Sequence, residues 1–347
     1  MNGQAATRSG TAPVAVVTGA SAGIGRAIVR EFARHGWRVA LLARGIDGLQ
    51  GARAEVEALG GAALVIPTDV ADEAQVEAAA AQVEAEWGAI DVWVNDAMAT
   101  IFSDVMKISP QDFRRATEVT YLGAVWGTLA ALRRMKPRRR GTIVQVGSAL
   151  AYRSIPLQAP YCGAKAGVRG FTDSVRCELD HDRSSVHITM VQLSAFNTPQ
   201  FDWGRTTLQR RPRPMGRIFQ PEIAAEAVYW AATHRRREVW VGAPAVQAIL
   251  GTRLFPGFLD RLLGRNAVDG QHTQEPLPPG RRDNLYAPVA GDHGAHGRFD
   301  AQAHDTSAQW WANKHRAPLI AAAAAIWMWT QVTHRPRPLR SRAGRST

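Results

Sequence analysis

The sequence predicts an α/β fold built on a doubly wound parallel sheet of about seven strands, followed by a loop-rich C-terminal extension. Three observations lead there. Short apolar, β-branched runs alternate with Ala-rich helical stretches, the runs are continuously apolar rather than alternating, and a glycine-rich turn follows the first of them. Continuous apolar runs belong to strands covered by helices on both faces. The 347-residue chain is 46% hydrophobic, enough for the core of one large domain plus an appendage.

The elements follow in order. Residues 14–18 form the first strand; the apolar stretch is too short for a signal core and runs straight into glycines. Helix 27–34, strand 38–42, helix 49–59, strand 63–67 and helix 73–87 come next, then strands 90–95 and 142–146. Strands 186–192 and 239–242 bracket a helix at 222–232. This organisation gives a flexible N-terminus over 1–11 and a main domain over 12–245. Beyond it the texture changes. "QEPLPPGRRDN" and "GDHGAHGRFDAQAHD" are rich in Gly, Pro and polar residues, which predicts a loop-rich, partly disordered segment over 246–316 that carries no catalysis. Its His293, His296 and His304 lack ligand spacing, so no metal site is expected.

Net charge is +12, and residues 246–347, with 13 basic against 7 acidic side chains, are the more basic part per residue. Nucleic acid is not the expected partner: there is no helix of clustered Arg with interleaved aromatics, no CxxC pair and no RNP-like strand. An anionic cofactor or membrane surface accounts for the charge as well. Cys162 and Cys177, without a secretory signature, read as reduced thiols in a cytosol-like compartment.

Two stretches carry chemistry. "VVTGASAGIGRAI" follows the first strand and opens a helix; there Gly19, Gly23 and Gly25 allow a tight turn, backbone approach to a pyrophosphate and close helix packing. Alone, the motif also fits an ordinary strand-to-helix turn. "YCGAK" sets Tyr161 and Lys165 four apart, on one helical face, in a chain with four lysines against 38 arginines. An ammonium there is expected to stabilise the phenolate and lower a phenol pKa that is otherwise near 10. A solvated helix pair is the plainer alternative, but Ser148 at a strand end supplies a hydroxyl that can hold a substrate carbonyl.

Together, TGASAGIG, Asp69-Val70, "VNDA" after the fourth strand, Ser148, and Tyr161 with Lys165 resemble the short-chain dehydrogenase/reductase family over residues 12–245. The resemblance implies a Rossmann-type fold and an active site of Ser148, Tyr161 and Lys165, the serine thirteen residues before the tyrosine as in the family. It implies cofactor contacts at Gly19, Ser21, Gly23, Ile24, Gly25, Val70, Asn95, Tyr161 and Lys165, with Asp69 at the adenine ring and Thr198 at the nicotinamide carboxamide. The second strand ends in Ala43-Arg44 where an acid would bind the ribose of NAD, and Arg44 suits the extra phosphate of NADP. NADP is therefore expected over NAD.

The chain also departs from the family. Asn-Asn-Ala-Gly becomes Asn95, Asp96, Ala97, Met98; Leu193-Ser194 replaces Pro-Gly; and Thr120 stands where many members have a catalytic Asn that orders a relay water. Thr120 is expected to serve as a partial relay group. The function implied is NADP-dependent interconversion of an alcohol and a carbonyl in a small molecule, with Tyr161 as acid and base, in a homo-oligomer. The alternative is an NADP-binding sensor or scaffold with little turnover. Residues 200–220 fall where the family has its substrate lid, with Phe201, Trp203 and Phe219 as pocket candidates.

The tail, 317–347, holds "APLIAAAAAIWMWTQV" and then Arg335, Arg337, Arg340, Arg342 and Arg345 without an acid. Sixteen residues fall short of the roughly twenty a spanning helix needs. Aromatics beside arginines suit a helix lodged at an anionic interface, so the expected location is cytoplasmic with reversible membrane association through 317–347. A helix folded back on the enzyme or on a sister subunit is the alternative.

Overall fold

The computed structural model describes residues 12–333. The predictions for the N-terminus before residue 12 and for the arginines after 333 lie outside the described residues.

Seven parallel strands form the central sheet: β1 (Val14–Thr18), β2 (Arg38–Ala43), β3 (Ala62–Pro67), β4 (Val92–Asn95), β5 (Thr142–Ser148), β6 (His187–Leu193) and β7 (Glu238–Val241). Their order across the sheet is β7-β6-β5-β4-β1-β2-β3. This is the predicted doubly wound sheet, and its boundaries fall within two residues of those read from the apolar runs. β1 is buried along its whole length because helices cover both of its faces.

On one face pack α1 (Gly23–Arg34), α2 (Ile46–Ala58) and α8 (Pro221–Thr233), around a core that includes Phe32, Leu49 and Val228. On the other pack α3 (Glu73–Trp87), α5 (Gly123–Met135) and α6 (Ala159–His181), with Trp93, Met135 and Leu179 among the buried side chains. Asp72 starts α3 by accepting hydrogen bonds from the amides of Ala74 and Gln75. Ser109 caps α4 (Pro110–Thr117), whose proline stands in the first turn, where its missing N–H costs nothing. A π-helical turn, Glu118–Leu122, joins α4 to α5.

The segment 246–316 differs from expectation. It opens with a helical hairpin, α9 (Ala243–Leu254) and α10 (Pro256–Asn266), and then crosses the main domain as an ordered strap. Single apolar anchors (Leu285, Ala295, Phe299 and Trp310) are buried in the main domain's surface. Isolated anchors between glycines and prolines have no period, which is why the segment reads as disordered although it packs. The strand Ala303–His304 completes a small three-stranded sheet with Ile218–Phe219 and Ala195–Phe196.

α11 (Ala308–Lys314) covers the edge strand β7: Gln309 accepts from the Gly242 amide at 2.7 Å and donates to the Trp240 carbonyl at 3.0 Å. α12 (Arg316–Thr333) follows, with Leu319, Ile320, Trp327, Met328 and Trp329 exposed. No helix among the described residues is long and apolar enough to cross a membrane.

Candidate active site

A cleft of about 390 Å³ opens at the carboxyl ends of the strands, where the strand order reverses between β1 and β4. Thr18, the last residue of β1, ties the two strand ends together: its hydroxyl oxygen accepts from the amides of Asp96 at 3.0 Å and Ala97 at 3.1 Å.

The glycine turn is built as the spacing requires, but its amides are used differently. Gly19 has φ +74°, and its amide donates to the Leu42 carbonyl at 2.8 Å. A Cβ on Gly25 would lie 2.2 Å from the Gly19 carbonyl oxygen, so only glycine lets α1 approach the turn. The Gly25 amide bonds to the Asp96 carboxylate. The Gly23 amide donates to Gly294 of the strap at 3.0 Å. The Gly19 and Gly23 amides therefore have partners within the chain. Ser21, Gly23 and Ile24 still line the cleft.

Ser148, Tyr161 and Lys165 come together on the cleft wall. Ser148 ends β5, and its hydroxyl accepts from the Leu150 amide at 3.1 Å. Tyr161 lies in the first turn of α6, with Lys165 one turn later. The lysine Nζ is 5.7 Å from the centre of the tyrosine ring and donates to the Val146 carbonyl at 2.6 Å.

The electrostatics reverse one expectation. Burial pushes the Tyr161 phenol well above its usual value; a hydrogen bond with Ser148 pulls it back, while Cys162 and Asp96 raise it further. Burial dominates here, and the lysine is turned to a backbone carbonyl. Burial also brings Lys165 down to about 8, opposed by the charge of Asp96. Asp96 itself is pushed up to about 7, chiefly by desolvation, with Lys165 and the Gly25 amide pulling the other way.

Two expected site residues have other work. Asn95 is off the cleft wall: it accepts from the Trp93 indole at 2.8 Å and donates to Ala124, Thr128 and Gln145 at 3.1–3.2 Å, stitching β4 to α5 and β5. Its neighbours Asp96, Ala97 and Met98 line the cleft instead. Thr120 is 1% exposed and also off the wall. Its hydroxyl donates to the Ala99 carbonyl and accepts from the Ala99 amide, both at 2.9 Å. A hydroxyl has one proton, and this one is spent on holding the loop after β4. The structure thus gives Thr120 a loop-holding contact rather than a place on the cleft wall.

At the far end of the cleft, Arg44 donates to the carbonyls of Asn284 and, at 3.2 Å, Leu285. Three of its five N–H groups remain. Asp69 pairs with Arg115 at 2.5 Å and accepts from the Ala71 amide at 3.1 Å, beside Val70 on the wall. At the near end, Thr198 and Ser194 line the cleft with buried hydroxyls that have no partner among the described residues. Such atoms call for a partner from a ligand or ordered water in the cleft.

Phe201 and Trp203 line the cleft from the short helix α7 (Gln200–Trp203), and Trp203 meets His293 edge-on at 4.7 Å. Phe219 does not; it packs against Phe196 in the core. The three extension histidines do not converge: His296 bridges Glu222 and Asp300, and His304 faces Phe219. Cys162 and Cys177 are both free.

Sequence reasoning missed the strap. Asn284, His293 and their neighbours form the outer cleft wall, and only their isolated apolar anchors signalled it.

Comparison with known proteins agrees with this architecture. The short chain dehydrogenase family model matches residues 13–207. An uncharacterized oxidoreductase, YxnA, of Bacillus subtilis (strain 168) is 32% identical over 284 residues, covering 81% of this chain and 79% of that protein. The structure of an alcohol dehydrogenase from the archaeon Thermococcus sibiricus complexed with 5-hydroxy-NADP superposes with a TM-score of 0.58 at 27% identity, covering 66% of this chain and 95% of that one. A metagenomic short-chain oxidoreductase in complex with NADP gives 0.58 at 28% identity, covering 67% and 97%. The chain is thus a member of the short-chain dehydrogenase/reductase family, an NAD(P)-dependent oxidoreductase acting on CH–OH and C=O groups.

Proposed function

We propose that this chain is an NADP-dependent oxidoreductase interconverting an alcohol and a carbonyl, with Tyr161 as acid and base. The convergence of Ser148, Tyr161 and Lys165 on one cleft carries the reading. When bound, the dinucleotide supplies or accepts the hydride. Burial keeps the Tyr161 phenol protonated at neutral pH, which suits donation of a proton to a carbonyl oxygen. Ser148 donates a hydrogen bond to the same oxygen and orients it. Lys165, next on the helical face, holds positive charge beside the phenol below about pH 8.

NADP is favoured over NAD because Arg44 offers free donors at the end of β2 and no acid stands there. The two solved relatives, in complex with 5-hydroxy-NADP and with NADP, support this. Leu150, Ile155, Phe201, Met215 and Leu263 make the substrate end of the cleft apolar, which suits a hydrophobic carbonyl compound. The exposed apolar side chains of α12 support reversible contact of the tail with an anionic membrane, and a homo-oligomer is the expected assembly.

The test is NADPH oxidation by the pure protein across ketones, aldehydes and quinones. Turnover of an apolar member is expected; NADPH binding without turnover on any class favours a sensor or scaffold.

A further inference from the structure

The C-terminal strap supplies a polar group to the adenosine end of the cleft, 77 positions after the family match ends at residue 207. Around Asn284 the backbone is fully committed. The Asn284 amide donates to the Trp203 carbonyl at 3.1 Å, and its carbonyl accepts from Arg44. The next carbonyl, of Leu285, accepts from Arg44 at 3.2 Å and Arg115 at 3.1 Å, and the Leu285 side chain is fully buried. The position of residue 284 is thus fixed from α7, from the residue that follows β2 and from α4.

Its side chain is not committed. Asn284 Oδ1 is buried with no hydrogen-bond partner among the described residues, and Asn284 lines the cleft. A buried, unpaired acceptor on a backbone held this rigidly is costly unless something from outside meets it. Asp69, the residue that the family resemblance assigns to the adenine, has both carboxylate oxygens bonded within the chain, to Ala71 and Arg115. Val70 and Val119 give this end of the cleft apolar walls suited to a flat ring.

We infer that Asn284 is an adenine-reading residue: its Oδ1 accepts a hydrogen bond from the exocyclic amine of the cofactor's adenine. A carboxamide presents an acceptor beside a donor, the pattern that matches the adenine amine and its neighbouring ring nitrogen. The strap is then part of the nucleotide site, and the Arg44 guanidinium is held for the 2′-phosphate by the same two backbone carbonyls that place Asn284.

This inference rests on the dinucleotide reading above, and the test separates the two. Dissociation constants are measured by nicotinamide fluorescence for NADPH and for its deamino analogue, in which a carbonyl replaces the adenine amine. Full-length wild type, Asn284→Ala and Asp69→Asn are compared. Wild type is expected to bind NADPH about tenfold more tightly than the analogue, the worth of one good hydrogen bond. Asn284→Ala should bind both alike, at the weaker value, and Asp69→Asn should keep the preference. Equal binding of the two dinucleotides by wild type, or a preference that survives Asn284→Ala, overturns the assignment. Failure of wild type to bind either dinucleotide overturns the cofactor reading and the assignment with it. The wild-type comparison needs no variant, so a folding defect in Asn284→Ala leaves the inference testable.

Discussion

Asp292 of the strap grips Arg26 of α1 with both carboxylate oxygens, Nη1 to Oδ1 at 2.9 Å and Nη2 to Oδ2 at 3.1 Å, across 266 positions of sequence. The arginine side chain is 2% exposed and also holds Glu55 at 2.8 Å and the Gly48 carbonyl at 2.8 Å. One buried guanidinium thus pins the strap to the helix that follows the glycine turn.

Asp292→Ala leaves that guanidinium buried with one partner fewer. The carboxylate is partly exposed, so the expected loss is about 1–3 kcal/mol, less than for breaking a fully buried pair. Thermal melting should fall, and limited proteolysis should cut first within 277–299. An unchanged melting temperature and cleavage pattern would show that the strap is held elsewhere.

Asp96→Asn tests the acid that replaces a family asparagine. With its folded pKa raised to about 7 from 3.8, Asp96 binds a proton in the folded state that the unfolded chain releases earlier, so it costs stability increasingly as pH rises from about 4 to 7. Lys165, lowered to about 8 from 10.5, works oppositely: its cost is full below pH 8 and is relieved above it. The melting advantage of Asp96→Asn should therefore be absent near pH 4, grow to pH 7 and then level off. NADPH affinity should also rise about three- to tenfold above pH 7, where a negative charge on the wall of the proposed cofactor cleft has been removed. A pH-independent difference would place the titration elsewhere.

Arg44→Asp puts an acid where the 2′-phosphate is proposed to bind. NADPH affinity is expected to fall by about a hundredfold and NADH affinity by far less. Equal losses in titration would remove Arg44 from phosphate recognition.

Thr120→Val deletes the bridge to both backbone groups of Ala99. Stability should drop by about 1–3 kcal/mol while Thr120→Ser stays close to wild type, because serine keeps the hydroxyl. Were Thr120 a proton relay, valine would cut turnover without shifting the melting curve.

The sheet, its helices and the meeting of Ser148, Tyr161 and Lys165 on one cleft were legible in the sequence because each leaves a local mark: continuous apolar runs, a glycine turn between a strand and a helix, and Tyr161 and Lys165 one helical turn apart. What was not legible depends on distant partners. Asn95 and Thr120 stand at family positions, but only the fold shows their polar atoms turned inward to α5, β5 and Ala99. The strap escaped because Leu285, Phe299 and Asp292 each meet residues between 100 and 270 positions away, a relation no window of sequence contains. The hairpin of α9 and α10 was missed for a more local reason: Pro256, the first residue of α10, breaks the helical period between the two short helices.

The most direct measurement is NADPH oxidation by wild type and Tyr161→Phe on the best carbonyl substrate, with NADPH binding followed in parallel. The variant removes only the phenolic oxygen and its proton. Turnover should fall by at least about a hundredfold while the NADPH dissociation constant stays within a few-fold. Undiminished turnover by Tyr161→Phe would contradict Tyr161 as the acid and base.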